Sequence, residues 1–554
     1  MVTCRYQRAA VLSLLLGLLG GAAAAAVQEP VPKWTNAGCF NSWCETGWYS
    51  SPAVADLDGD GRPEVIASAY SIVVLDGETG DLLWRAPSGH DRSQPNASNV
   101  GRTWPGIVVA DVDADGHLEI VTSHSGGWAA VYDHRGYFES GWPQRRGTSE
   151  LRGLAVGDLE ADGTMEIVVS AAVGSGTNTW VLEHGGATRP GWPRVGSGLG
   201  YAYGVFNDNA AIADLEGDGD SELIIPSDVH YICAYGPDGS PLTTHSSYQG
   251  KVWGEVGVWE SPAIESRGWG SCSQADGRAE RNRTNFAHGP VVVADVDGDR
   301  ALEVVAVGNT YDCAARPYAS LYSGAFIFNR DRSRFTNGDY DWTTVPMDTG
   351  GPLVEDYNVI ESVHPNPVVV DLDGDGEKEI LFPSYDGRMH AIWLDKTEHG
   401  SWPYSIHDSG EGIYRFASEP VIADLDDDGA AEVIFTSWVE KGSHATGKLH
   451  ILSALGEPLH EVFLPDAYGS PDWNGAMAAP TLDNIDGDAD LELVINTAHS
   501  GFVSYDMPGT DGARVLWGTG RGGYRRAGVA EPRVLFADGF ESGLMSAWSD
   551  ITTP

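Results

Sequence analysis

Asp56-Leu57-Asp58-Gly59-Asp60-Gly61-Arg62-Pro63-Glu64 decides the fold, because the same acidic nonapeptide returns seven more times along the 554-residue chain. Carboxylates at positions one, three, five and nine (Asp56, Asp58, Asp60 and Glu64), with the backbone carbonyl of Arg62 at position seven, offer the all-oxygen shell that a hard cation such as Ca²⁺ takes. Gly61 at position six lets the chain turn back sharply.

The second loop supplies Asp111, Asp113, Asp115, the His117 carbonyl and Glu119. The third supplies Asp158, Glu160, Asp162, the Thr164 carbonyl and Glu166, and the fourth Asp214, Glu216, Asp218, the Asp220 carbonyl and Glu222. The fifth has Asp295, Asp297, Asp299, the Ala301 carbonyl and Glu303, but Arg300 stands at the turn position. The sixth (Asp371, Asp373, Asp375, Glu377, Glu379) and seventh (Asp424, Asp426, Asp428, Ala430, Glu432) are complete. The eighth begins with Asn484, continues with Asp486, Asp488, Asp490 and Glu492, and has Ala489 at the turn. Up to eight Ca²⁺ ions are expected. Loops five and eight should bind most weakly, since a non-glycine residue forced to positive φ carries ~1 to 2 kcal/mol of strain.

Successive loops begin 55, 47, 56, 81, 76, 53 and 60 residues apart. A period of this length marks a repeat architecture rather than a string of separate domains. The first unit reads as a strand at 52–55, the metal loop at 56–64, strands at 65–69 and 71–75, a turn at 76–80 and a strand at 81–85. Four antiparallel strands leave too much apolar face for one sheet to stand alone, so the units must stack around an axis. The expected fold is an all-β propeller of eight four-stranded blades, with seven blades as the alternative and Ca²⁺ loops between the first and second strands. Strands at 502–506 and 514–518 complete the eighth blade in this reading.

A formal charge of −45, from 79 acids against 34 bases, repels nucleic acid and anionic membranes. Residues 1–26 read as an export signal: Arg5 and Arg8, an apolar run, then small residues ending at Ala26. Secretion of a soluble monomer with no membrane span is the expectation. Of the cysteines that remain, Cys39 and Cys44 are close enough to bridge, Cys272 and Cys313 are an open candidate pair, and Cys233 reads as a buried thiol.

Residues 27–50 read as an aromatic N-terminal cap, 51–520 as the propeller, and 521–554 as a linker and short tail containing Asp538-Gly539-Phe540-Glu541-Ser542-Gly543. Trp142, Trp192 and Trp402, each in an aromatic-proline turn, are expected to pack between neighbouring blades, with a sugar-binding platform as the sharper alternative. Insertions around 240–286 and 309–361 hold a basic cluster of Arg278, Arg281 and Arg283. It suits an anionic ligand unless Asp276 and Glu280 neutralise it.

The eight loops, each preceded by a short apolar strand such as Ala53-Val54-Ala55 and followed by Glu-Val-Ile or a close variant, resemble FG-GAP/VCBS repeats, the units of integrin α-subunit propellers and of bacterial secreted propellers. That resemblance covers about residues 50 to 520. It implies Ca²⁺ as structural support, with binding or adhesion to an extracellular glycan or protein ligand on exposed faces. No His-Glu-x-x-His helix, Gly-x-Ser-x-Gly elbow or phosphate loop is present. The competing enzymatic reading is a polysaccharide lyase of the eight-bladed rhamnogalacturonan lyase type, drawing on His288, His364, Tyr414 and Arg415 near the axis.

Overall fold

The computed structural model describes residues 26–530, except 41–42, 46, 173–176, 193–209, 228–229, 268–280, 287–288, 316–318, 348, 357–358, 360–365 and 470–471. Eight small antiparallel sheets follow one another along the chain. The chain is an eight-bladed β-propeller.

Every blade begins with a short apolar strand, enters an acidic loop and returns as a second strand headed by, or overlapping, the position-nine glutamate. In blade one these are Ala53–Ala55 and Glu64–Ser68, followed by Ser71–Asp76 and Leu82–Pro87. The second strands of several blades are buried on both faces, as Glu119–His124 and Glu166–Ala171 show. Apolar and small polar side chains alike are enclosed in these strands, because each is sandwiched between neighbouring blades. The loops thus lie at one end of the ring, between first and second strands, as the sequence implies.

Tryptophans stitch blade to blade. The indole N–H of Trp34 donates to the Gly77 carbonyl, Trp142 to His184, Trp253 to Arg330, Trp342 to Leu394 and Trp402 to Ala454, at 2.7 to 3.2 Å. Each ring leaves the outer part of one blade and caps the outer turn of the next, and Trp192 reaches Tyr235 edge-on. Trp142, Trp192 and Trp402 are 7%, 6% and 6% exposed, which rules out the sugar-platform reading for them.

Three details depart from the expected blade plan. Among the described residues blade four has three regular strands, a single bridge of Tyr235 with Pro241 standing where an outer strand would run, and blade three also shows three, residues 193–209 lying outside the described ones. The outer strand of blade eight is Val31–Asn36, paired antiparallel with Phe502–Met507. The beginning of the chain therefore closes the ring. Arg514–Trp517, expected in that outer place, pairs instead with Val421–Asp424, the innermost strand of blade seven.

From there the chain runs through the axis. Carbonyls of Gly518, Tyr524, Arg525, Ala527 and Gly528 accept hydrogen bonds from the backbone N–H groups of Leu482, Val109, Val156, Ile212 and Val293, in or beside the innermost strands of blades eight, two, three, four and five. Blade one is reached through Arg526, whose guanidinium donates to the carbonyls of Pro52 (2.8 Å) and Ser51 (3.3 Å), and also to those of Ile107 and Gly520 and to the Thr519 hydroxyl. Residues 521–528, expected as linker, form a hub instead. Gly522 is required there: φ is +90°, and a Cβ would sit 1.9 Å from the Val529 carbonyl oxygen.

A buried polar trio in blade six gives a pH-dependent contribution. His390 lies between Asp386 (3.2 Å) and Glu398 (2.8 Å), and Arg388 also pairs with Asp386. Burial alone would lower the His390 pKa, but its hydrogen bonds to the two carboxylates and their charges hold it above the ordinary value. A raised folded-state pKa stabilises the fold fully below the unfolded value, about 6.5, and that stability fades as pH rises through the folded value. His390→Gln is expected to remove the fall in Tm that sets in as pH rises above the unfolded value of about 6.5, read by thermal denaturation at several pH values.

Candidate metal centre

The acidic loops share one construction. In all eight, the position-nine glutamate is nearly buried and one of its oxygens accepts the backbone N–H of position two at 2.7 to 3.1 Å, as Glu64 does from Leu57 and Glu379 from Leu372. That bond ties the second strand to the mouth of the loop. In loops one to seven the position-one aspartate accepts the backbone N–H of position six at 2.8 to 3.1 Å. Positions four and six of those seven loops are left-handed, so the chain coils around its own carboxylates.

This coiling brings the sequence-predicted ligands together. Single oxygens of Asp56, Asp58 and Asp60 lie within 4.8 Å of one another, as do those of Asp111, Asp113 and Asp115, of Asp158, Glu160 and Glu166, of Asp295, Asp297 and Asp299, and of Asp371, Asp373 and Glu379. Clusters of this kind can hold a metal ion. Loop six gives the most direct test of fit: Glu379 is fully buried, and its Oε1 has no hydrogen-bond partner among the described residues. An orphaned carboxylate oxygen facing two aspartates is costly without a cation. Burial, with the nearby aspartates adding to it and the Leu372 N–H opposing it, pushes the Glu379 carboxyl up to about 8. Glu119 and Glu303 reach about 8 for the same reasons.

The loops are not identical. Arg300 in loop five adopts φ 76° and keeps the shape of its neighbours, carrying the strain expected of it. In loop three the Arg189 guanidinium reaches Glu160 (2.6 Å) and Glu166 (3.1 Å). Loop eight has left the common shape. Neither Gly487 nor Ala489 is left-handed, so the strain expected at Ala489 does not arise.

Other candidate residues fall outside this centre. Arg415 is held by Glu411 (2.5 Å) and the Thr446 carbonyl (3.1 Å), and the Tyr414 ring stacks with His407. His288 and His364 lie outside the described residues. In the first insertion Arg281 pairs with Asp312, and Arg283 sits 5.1 Å from the centre of the Tyr311 ring. Arg278, Asp276 and Glu280 lie outside the described residues, as do Cys272, the export signal up to residue 25 and the tail beyond residue 530. Cys39 and Cys44 are bridged, Cys313 is disulfide-bonded, and Cys233 is a buried free thiol.

A second feature, missed in the sequence, opens on the face away from the loops. A small cleft of about 40 Å³ is bordered by Tyr49, Trp104, Arg152, Asn366, Glu419 and Arg521. Trp104 lies 4.4 Å from Tyr49 and 4.1 Å from the Arg152 guanidinium, while Arg102 sits among the rings of Trp48, Tyr49, Tyr70 and Trp104. Its floor is the axial hub. The aromatic enrichment of residues 34–49 was its one sequence signal.

No family model matches the sequence, and no curated protein matches it. Among solved structures, the chain is similar to the V. cholerae biofilm matrix protein Bap1, with 14% identity over 87% of this chain and 91% of that one, at a TM-score of 0.38. It is also similar to the exotype rhamnogalacturonan lyase YesX (14% identity, 86% and 75% covered, TM-score 0.47) and to BamB from Moraxella catarrhalis (14%, 83% and 97%, 0.43). At such identities the likeness concerns the fold alone. Among the described residues no helix is long and apolar enough to cross a membrane.

Proposed function

We propose that the protein is a secreted, Ca²⁺-stabilised propeller of the FG-GAP/VCBS type that binds an extracellular glycan or protein ligand on the face opposite its metal loops. The cleft over the hub carries the binding part of this reading. It joins aromatic rings to arginines on a protein of net charge −45, and its floor is built from the chain's own buried residues rather than from an open channel. Ca²⁺ would be held by the aspartates at positions one, three and five, the position-seven carbonyl and the position-nine glutamate. It would supply charge neutralisation that locks each hairpin, leaving recognition to the opposite face. The disulfide between Cys39 and Cys44 fits an oxidising compartment.

Glycan arrays and cell-surface binding, run on the full chain with Ca²⁺ present, test the proposal. Saturable binding that weakens about tenfold, or about 1.4 kcal/mol, in Arg152→Ala supports it. Binding indifferent to Arg152→Ala and Trp104→Ala would remove the cleft from the reading. Unsaturated products released from pectic polymers would favour the lyase instead.

A further inference from the structure

Loop eight differs from the other seven in three independent ways. Its backbone lacks both left-handed turns. Its first residue, Asn484, donates from Nδ2 to the Asp488 carbonyl at 2.7 Å, so the side chain that should face a cation closes the loop on itself. Finally, the ammonium of Lys33 reaches in, pairing with Asp486 and lying 3.5 Å from Glu492.

Lys33 arrives there by a specific device. It stands on the first strand of the chain, at a register shift where Pro32 faces Tyr505 and Trp34 faces Ser504. Lys33 is the unpaired extra residue of this bulge, and a bulge re-aims the side chain it carries. The ammonium ends between Asp486, whose side chain is 8% exposed, and Glu492, which is buried. A group so placed supplies positive charge, as a metal ion would, and satisfies the carboxylate oxygens by hydrogen bonds instead of coordination.

We infer that loop eight is not a metal site: it holds the Lys33 ammonium in place of a divalent cation, so the joint that closes the ring is latched by the chain itself while the other loops take metal. The inference rests on the reading of the regular loops as Ca²⁺ sites. Arg189 in loop three is a different case, because that loop keeps both left-handed positions and the Asp158 hydrogen bonds of the metal-competent shape.

Matched substitutions separate the two claims. Asp375 in loop six and Asp488 in loop eight occupy the same position, and each accepts the backbone N–H two residues on, at 2.8 and 2.9 Å. Bound Ca²⁺ per chain is measured by equilibrium dialysis in excess Ca²⁺. Asp375→Asn is expected to lose one ion and Asp488→Asn none. Loss of an ion from Asp488→Asn overturns the latch, whereas no loss from Asp375→Asn overturns the Ca²⁺ reading beneath it. Lys33→Met gives a second readout: the drop in Tm should be the same in Ca²⁺ and in chelator. A drop that Ca²⁺ abolishes, with one ion gained, would show a metal site that Lys33 merely shadows and would also overturn the inference.

Discussion

Chelating divalent cations is expected to lower the melting temperature by about 10 °C or more, and restoring Ca²⁺ is expected to reverse it. A ligand that binds only the folded state, present at 100 times its Kd, stabilises by about 2.7 kcal/mol per site. Several such sites together match the net stability of a typical domain, about 5 to 15 kcal/mol. The expectation rests on the loop geometry: in at least five loops carboxylate oxygens, some exposed and some buried, lie within 4.8 Å of one another, and Glu379 Oε1 has no hydrogen-bond partner among the described residues. A melting curve unchanged by chelator in dilute buffer would contradict the metal reading.

Replacing Arg526 with methionine is expected to cost about 2 to 6 kcal/mol, and ending the chain at Thr519 should prevent a soluble ring from forming. Arg526 is fully buried, and its guanidinium satisfies the carbonyls of Ser51, Pro52, Ile107 and Gly520 at once. Ser51 keeps the Ile107 N–H and Pro52 the Thr481 hydroxyl, so the loss falls on the Ile107 and Gly520 carbonyls, at about 1 to 3 kcal/mol for each buried acceptor left unpaired. Truncation goes further, stripping the inner strands of blades two to five of the carbonyls their N–H groups bond to. A chain ended at Ala530 keeps every one of these contacts and is the control. Denaturant midpoints close to those of the intact protein would show that the hub is dispensable.

The blade plan and the acidic loops were legible because they are local. Nine residues specify a hairpin, and the alternation around them specifies its strands. What escaped is what joins distant parts of the chain. Val31–Asn36 reads as a polar-aromatic lead-in, since nothing local reveals that its partner strand begins at Phe502. Arg521-Gly522-Gly523-Tyr524-Arg525-Arg526 has the composition of a linker, yet its glycines allow close backbone approach and its arginines serve carbonyls in the axis. Ala489 was read against a loop shape that the eighth unit does not adopt, and Lys33, 453 residues from Asp486, carried no signal of its own.

Two segments about 480 residues apart are structural members of one ring, Val31–Asn36 supplying an outer strand and residues 518–528 the axle. A ribosome releases the first of these long before the second. The nascent chain therefore holds unpaired sheet edges and an empty centre until residues 518–528 emerge, and closure must wait for them. Such a molecule gains most from a holding chaperone during that delay, and a premature stop before residue 518 should yield an aggregate rather than a shorter ring.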